Sequence, residues 1–369
     1  TQEHSSHRFA LVTIPTISQL ASELASNQLA ISYTTVTDGT YAFLIDSNGL
    51  VAAPFLLEKV PASARLENYL VKLQQIGFTP STEAEAIEQA IVEAQKLLAE
   101  WFTRFLAPFS RRLSHYDQLI IAPDGLLNLI PFAACYCPER GKYLAETHTI
   151  TVVPSLTTWS LIAPKAIASP TVLVVGSSRI GGEIGILPHT ISEAIMVADT
   201  FTDTDISTDT IVLLEDEATV HTVIAYLSQA DLIYFAAHGE YAPGDPAASF
   251  LELADGPLRV ADILPLKLKA TTVILNACET NRGLLRGNEM MGLVRAFLYA
   301  GAQSVIATHW PIDDAAGHRL MAHFMEAIRH GELPTTALRA AQCAMIHGSQ
   351  EKYRHPFFWG GQQMVGRIH

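Results

Sequence analysis

The second half of the chain alternates short apolar runs with amphipathic segments, and this alternation constrains the fold more than any other feature. The runs are TVLVVG, TIVLLE, LIYFAA, TVILNA and SVIAT. Between them lie segments with apolar residues at helical spacing. Short buried strands separated by helices predict a mainly parallel sheet covered on both faces. Ligands bind such sheets beyond the carboxyl ends of the strands, so the residues that follow these runs are the first candidates for function.

Two of these runs lead to a reactive side chain. The stretch DLIYFAAHGEY reaches His238 and Gly239, and TTVILNACET reaches Cys278. A cysteine attacks a carbonyl as its thiolate, and a nearby imidazole can handle the proton. The backbone N–H groups of Gly239 and Cys278 could hold the resulting oxyanion. Each side chain alone has a structural interpretation, but the pair at matching strand ends favours a catalytic dyad.

Three polar residues near the same sheet edge are candidates for substrate binding. Asn276 precedes Cys278 by two positions and therefore points to the same face of its strand. Asp313 and Asp314 follow the run SVIATHW, where a carboxylate would favour a basic residue before the scissile bond. Asp313 is also suited to cap the helix that begins DAAGHRLMAHF, so both interpretations stay open.

The first part of the chain predicts a different arrangement. A short helical stretch is followed by AISYTTVTDGTYAFLIDSNGLVAAPF, which alternates like β-strands with turn signals at Asp38–Gly39 and Asn48–Gly49. A long helical pattern comes next, over STEAEAIEQAIVEAQKLLAEWFTRFLAPF. The proline-punctuated stretch APKAIASP is typical of a linker, which predicts a boundary between residues 1–165 and 166–369.

Composition narrows the class of protein. A formal net charge of -13, with no basic run, argues against a nucleic-acid partner. The chain has no apolar run of about eighteen residues, which argues against a membrane span. Four cysteines in 369 residues do not make a disulfide framework and favour a reducing, cytoplasmic location. Because the sequence begins at Thr1 without a signal-peptide pattern, we expect a piece of a longer protein or a processed product.

Two further motifs carry weaker signals. VVGSSRIGGEIG is glycine-rich but lacks both the G-x-G-x-x-G spacing and a Walker lysine, so a loop near the cleft is favoured over nucleotide binding. Cys135 and Cys137 could form half of a metal site, yet no second close pair of ligands follows them, and buried thiols are favoured. The sequence therefore predicts neither a metal nor an organic cofactor.

Several motifs, taken in order, resemble those of one family. LIYFAAHGEY, VILNACET, GNEMMGLVRAFLYAGAQSVIATHWPIDD and HPFFWGG are similar to motifs of the CHAT-domain peptidases, caspase-like relatives of separase. LIIAPDGLLNLIPFAA, VVPSL and LPHTISEA extend the resemblance upstream, so that it covers most of residues 30–369. His309 departs from the family pattern, which usually has an apolar residue there, and the helical repeats that commonly precede the domain are not detectable.

The resemblance implies a caspase-like, mainly parallel sheet flanked by helices and preceded by a related non-catalytic α/β half. It carries the family's dyad onto His238 and Cys278. We therefore expect a cysteine endopeptidase that cleaves protein substrates and is activated by a regulatory protein or an upstream sensor domain. Such a partner would act by ordering the glycine-containing segment 279–289. The alternative is a catalytically silent caspase-like module that binds a partner and transmits a signal.

Overall fold

A computed structural model describes most of the chain. The described residues are 14–57, 63–77, 84–163, 170–181, 183, 189–202, 208–240, 248–276, 291–310 and 313–367. The helices within them are α1 Ile17–Ser22, α2 Ser63–Gly77, α3 Ala84–Phe105, α4 Ser110–Leu113, α5 Leu144–Thr147, α6 Leu156–Leu161, α7 Thr190–Thr202, α8 Val220–Leu227, α9 Val260–Ile263, α10 Met291–Ala300, α11 Asp314–Arg329 and α12 Pro334–His347.

The strands follow the predicted apolar runs in the second half of the chain. Their bounds are β1 Gln28–Val36, β2 Gly39–Asp46, β3 Gly49–Leu50, β4 Phe55–Leu57, β5 Gln118–Ala122, β6 Tyr136–Cys137, β7 Lys142–Tyr143, β8 Thr149–Val152, β9 Thr171–Gly176, β10 Asp209–Leu214, β11 Leu232–Ala236, β12 Gly239–Glu240, β13 Phe250–Leu253, β14 Gly256–Arg259, β15 Thr272–Asn276, β16 Ser304–Thr308 and β17 Gln362–Gly366.

One large sheet runs through the described part of the molecule. Its order is β10-β9-β11-β15-β16-β17-β8-β5-β1-β2-β3, with β4 paired to β2. The strands from β10 to β16 are mutually parallel, and β17 is antiparallel to β16 but parallel to β8. β8, β5 and β1 are again parallel to one another. The prediction of a mainly parallel sheet is confirmed.

Side chains along the central strands alternate between two apolar cores. On β11, Tyr234 and Ala236 join a core that includes residues of α7, α11 and α12. The intervening Ile233 and Phe235 join a second core, which includes residues of α8 and α10. Because alternate side chains enter different cores, both faces of the sheet are buried. This explains why the sequences of these strands are continuous apolar runs. No helix in the described ranges is long and apolar enough to cross a membrane.

The first hairpin turns one residue earlier than the sequence signal indicates. Val36 pairs with Gly39, so the two-residue loop is Thr37–Asp38 and the glycine begins β2. A Cβ atom at Gly39 would lie 2.9 Å from Cδ1 of Leu56 in the adjacent β4. Glycine is therefore needed here for the close approach of a neighbouring strand, not for the turn.

The segment after His238 forms strands although its composition, EYAPGDPAASFLELADGPL, is typical of a loop. β12, β13 and β14 form a separate three-stranded antiparallel sheet. Leu251 and Leu253 alternate into the second core, and Gly256 follows the turn with a φ of 144°. The short period-two pattern of FLEL was thus a strand signal. Residues 241–247 of this segment lie outside the described residues.

The two regions predicted from the sequence share the large sheet and the first of the two cores. They meet where β8 lies beside β17. The ring of Tyr143 packs edge-on against that of Trp359, with centroids 4.9 Å apart. Arg339 of α12 donates hydrogen bonds to the carbonyl oxygens of Ala145 and Glu146, at 2.9 and 2.8 Å. Residues 164–169 lie outside the described ranges, and the division near residue 165 stays a prediction.

Candidate functional site

His238 lies just beyond the carboxyl end of β11. Its side chain is only 5% exposed, and Nδ1 is buried without a hydrogen-bond partner in the described part of the chain. The backbone is held in place, because the carbonyl oxygen of His238 accepts a hydrogen bond of 2.8 Å from the N–H of Glu252. An imidazole nitrogen that is free at this edge of the sheet is suited to accept a proton from a neighbouring group.

The strand register relates His238 to the proposed nucleophile. β11 and β15 are adjacent and parallel, and Ala236 pairs with Asn276. His238 and Cys278 each follow a member of this pair by two positions. Cys278 and the segment 279–289 lie outside the described residues. The dyad and the proposed ordering of the segment stay predictions.

The N–H group of Gly239 lies on the side of β12 that faces away from β13, its neighbour in the three-stranded sheet. Gly239 pairs with Leu251, and the preceding residue His238 accepts a hydrogen bond from Glu252. Hydrogen-bonded and non-hydrogen-bonded pairs alternate along an antiparallel ladder. The N–H of Gly239 therefore points away from β13, which is the orientation that an oxyanion donor requires.

Asn276, the last residue of β15, is part of a buried polar cluster. Its side chain is 7% exposed, and its Nδ2 lies 2.8 and 2.9 Å from the two carboxylate oxygens of Glu193. Its Oδ1 accepts a hydrogen bond of 3.1 Å from Gln362. The hydroxyl of Tyr234 also donates to Glu193, at 2.7 Å. The amide of Asn276 thus already has protein partners, and its part in substrate binding stays a prediction.

Glu193 is a buried carboxylate with a raised pKa. Burial raises its pKa from 4.5 to about 7, and the nearby charge of Asp314 acts in the same direction. The hydrogen bonds from Asn276 and Tyr234 oppose this rise in pKa because they stabilise the ionised form. A carboxylate that titrates near neutral pH beside a candidate site is a feature that active sites share.

Asp313 and Asp314 lie at the start of α11 and have different partners. The carboxylate of Asp313 accepts a hydrogen bond of 3.0 Å from the N–H of Ala316 and caps the helix. The carboxylate of Asp314 accepts one of 3.1 Å from the N–H of His189. Both carboxylates are thus held by backbone groups, and an additional role in binding a basic substrate residue stays a prediction.

The remaining sequence candidates have structural partners. In the glycine-rich stretch after β9, Ser178 donates to Glu215 and the N–H of Gly181 donates to Glu252. His309, the departure from the family pattern, is hydrogen-bonded to Gln363, and burial lowers its pKa. Cys135 and Cys137 are buried free thiols. Within the described ranges, no group of three His, Cys, Asp or Glu side chains is arranged to hold a metal ion.

Sequence patterns did not point to the other members of the polar cluster, which are Glu193, Tyr234 and Gln362. One signal was available for Glu193. It lies on the same helical face as the buried residues Ala194, Val197 and Ala198. A charged residue inside an apolar helical stripe needs a buried partner, although the sequence does not say which one.

The mainly parallel sheet flanked by helices is a caspase-like α/β fold. A family model described as the CHAT domain matches residues 93–367, which is most of the chain. The protein therefore belongs to the CHAT domain family.

The chain is also similar to known proteins in sequence and in fold. Tetratricopeptide repeat protein 28 of Homo sapiens is 25% identical over 333 residues, and that of Mus musculus is 24% identical. The match covers 74% of this chain and 13% of each relative. Among solved structures, Saccharomyces cerevisiae separase in its complex with securin superposes with a TM-score of 0.58 at 10% identity. That likeness, which is one of fold, covers 94% of this chain and 30% of the separase chain.

Proposed function

We propose that the protein is a cysteine endopeptidase in which Cys278 attacks a peptide carbonyl and His238 transfers the proton to the leaving amine. One observation carries the proposal. β11 and β15 are adjacent and parallel, with Ala236 paired to Asn276, and in the sequence His238 and Cys278 each follow a member of this pair by two residues. Among the described residues, Nδ1 of the buried imidazole has no hydrogen-bond partner, and the N–H of Gly239 points away from β13, which supports its role as an oxyanion donor.

Regulation by another protein is part of the proposal. The chain spans 13% of the tetratricopeptide repeat proteins that it matches, and the separase to which it is similar in fold was crystallised with securin. We infer that a partner protein or a further domain controls activity. It would do so by favouring one arrangement of the segment 279–289, to the extent that it binds this arrangement more tightly than the others.

The test measures peptide cleavage in two preparations: the chain alone, and the chain within its full-length protein. A mixture of unmodified peptides is incubated with the protein, and mass spectrometry identifies the new termini. Cys278→Ala and His238→Ala should each reduce cleavage by about a thousandfold or more, since a catalytic group is lost. Cys343→Ser is the matched control, because Cys343 is a free cysteine on α12.

Persistent cleavage by Cys278→Ala would contradict the mechanism. If the wild type cleaves no peptide in either context, the proposed activity is wrong and the silent signalling module takes its place. The sequences of the new termini also test the acidic pocket, since Asp313 and Asp314 predict Arg or Lys before the cut.

A further inference from the structure

A chain of buried side-chain hydrogen bonds connects α7 with three strands next to the candidate site. Tyr234 of β11 donates to Glu193 of α7, and Asn276 of β15 donates to both carboxylate oxygens. Gln362 of β17 donates in turn to Asn276. All four side chains are buried. The cluster therefore fixes the Asn276 side chain, two residues before Cys278.

We propose that Glu193 is a positioning residue: in its ionised form it fixes the Asn276 side chain at the end of β15, and its protonation releases that side chain. The inference rests on the proposed function, since the positioned strand leads to the proposed nucleophile. It assigns a role to LPHTISEA, a motif that the dyad itself does not explain.

The hydrogen-bond inventory of the cluster supports this. An ionised carboxylate only accepts hydrogen bonds, and Glu193 accepts from two donors, Tyr234 and Asn276. Protonation places a hydrogen on one of its oxygens, opposite these donor groups. If Asn276 turned its amide to accept from the new O–H group, its Nδ2 would face the Nε2 donor of Gln362, so Gln362 would have to turn as well. Without these rotations, the hydrogen bond of 2.9 Å from Asn276 to Oε2 of Glu193 is lost when that oxygen gains a proton.

The surroundings of Glu193 set the pH at which this happens. Asp314, at the start of α11, is the charged group that acts on Glu193, and Tyr234 is a titratable group in direct contact with it. His189 and His318 lie beside Asp314. The start of α7 favours the ionised form through the helix dipole, while burial disfavours it. The resulting pKa of about 7 puts the change within the neutral range.

The test is the alkylation rate of Cys278 by iodoacetamide, which reports on the thiol without requiring peptide cleavage. Trypsin yields residues 270–282 and 340–352, which contain Cys278 and Cys343 as their single cysteines. Cys343 is thus an internal reference in the same sample. The ratio of the two rates is measured from about pH 6 to about pH 8, on both sides of the pKa of Glu193.

Glu193→Gln mimics the protonated form at every pH. We expect the ratio of the two alkylation rates to change about threefold more over this pH range in the wild type than in the variant, because the variant has no carboxylate at position 193 to ionise. This additional change in the wild type is the Glu193 step. His238 is unchanged in both proteins, so the comparison isolates the effect of the substitution at Glu193. Glu332→Gln, at an exposed position, should behave as the wild type.

Tyr234→Phe gives a second, milder variant in case Glu193→Gln does not fold. Removing this donor destabilises the ionised carboxylate, so the Glu193 step should move to higher pH. A purely structural role would not produce such a shift. The inference is overturned if the Glu193→Gln profile superimposes on the wild type, or if Tyr234→Phe leaves the step in place. A chain that shows the step but cleaves no peptide would overturn the peptidase proposal alone.

Discussion

Burial holds His355 in its neutral form. This residue begins the motif HPFFWGG, and its Nδ1 accepts a hydrogen bond of 3.1 Å from the N–H of Phe357. Burial lowers its pKa from 6.5 to about 4. Protonation of Nδ1 would replace an acceptor with a donor, facing the N–H group that now donates to it. His355 therefore links the packing of this motif to pH.

The free energy of unfolding should fall on acidification because of His355. Between pH 6.5 and about pH 4 the unfolded chain binds the proton and the folded chain does not. At about 1.4 kcal/mol per pKa unit, roughly 3 kcal/mol should be lost across this window. His355→Gln, measured by urea unfolding at pH 7 and pH 4.5, should lose less than the wild type.

The control for this experiment is His330→Gln, since His330 is exposed at the end of α11. Glu193 contributes in the opposite sense. Its raised pKa means that its contribution to stability falls as pH rises from 4.5 through about 7. Each variant is therefore compared with the wild type at the same pH. Equal acid-induced losses in the wild type and His355→Gln would show that His355 does not carry the effect.

At the scale of elements, β17 depends on a glycine at its end. Gly366 has a φ of 124° and pairs with Ser304 of β16. A Cβ atom there would overlap the carbonyl oxygen of Gln303 and lie 2.8 Å from the Cα of Ser304. The strand can approach β16 in this way only without a side chain, because backbone atoms cannot move aside as a flexible side chain can.

Gly366→Ala should therefore destabilise the protein by about 3 kcal/mol or more, through both backbone strain and overlap. Gly49→Ala is the matched control. Gly49 has a similar φ of 116°, but no atom of the described residues, apart from its two chain neighbours, lies within 4 Å of the position that a Cβ atom would take there. It should lose only the strain, about 1 kcal/mol. Thermal unfolding of both variants measures the difference, and equal losses would contradict the role of the close approach.

The sequence predicted elements better than the contacts between them. β9, β11, β15 and β16 follow the apolar runs because burial on both faces makes these strands continuously hydrophobic. The position of His238 at a sheet edge followed from the same rule. The contact between Glu193 and Asn276 did not, because it joins residues 83 positions apart through tertiary packing. The strands β13 and β14 were missed because a turn-rich composition concealed two four-residue runs.

At the scale of the molecule, the second half does not close its own sheet. β17 has β16 on one side and β8 on the other, and Trp359 packs against Tyr143 across the same boundary. Residues 166–369 alone would expose a strand edge and part of the apolar core. Such a fragment is prone to pair with other chains.

We expect a fragment of residues 166–369 to aggregate or to lack a cooperative thermal transition. Co-expression with residues 1–165 should restore a soluble 1:1 complex, since the missing strands and core residues are then supplied. Size-exclusion chromatography and thermal unfolding of both preparations measure this. A monomeric fragment with the thermal transition of the whole chain would show that residues 166–369 fold independently.

The pairing of β17 also sets the polarity of the two halves. Because β17 is antiparallel to β16 and parallel to β8, the strands β8, β5 and β1 run opposite to β9, β11, β15 and β16. The carboxyl ends of the two sets therefore face opposite rims of the sheet, about 17 Å apart for a strand of five residues. A molecule bound at the carboxyl rim of the first half would therefore lie at the opposite edge of the sheet from His238. It could influence that residue only through the length of the strands between them.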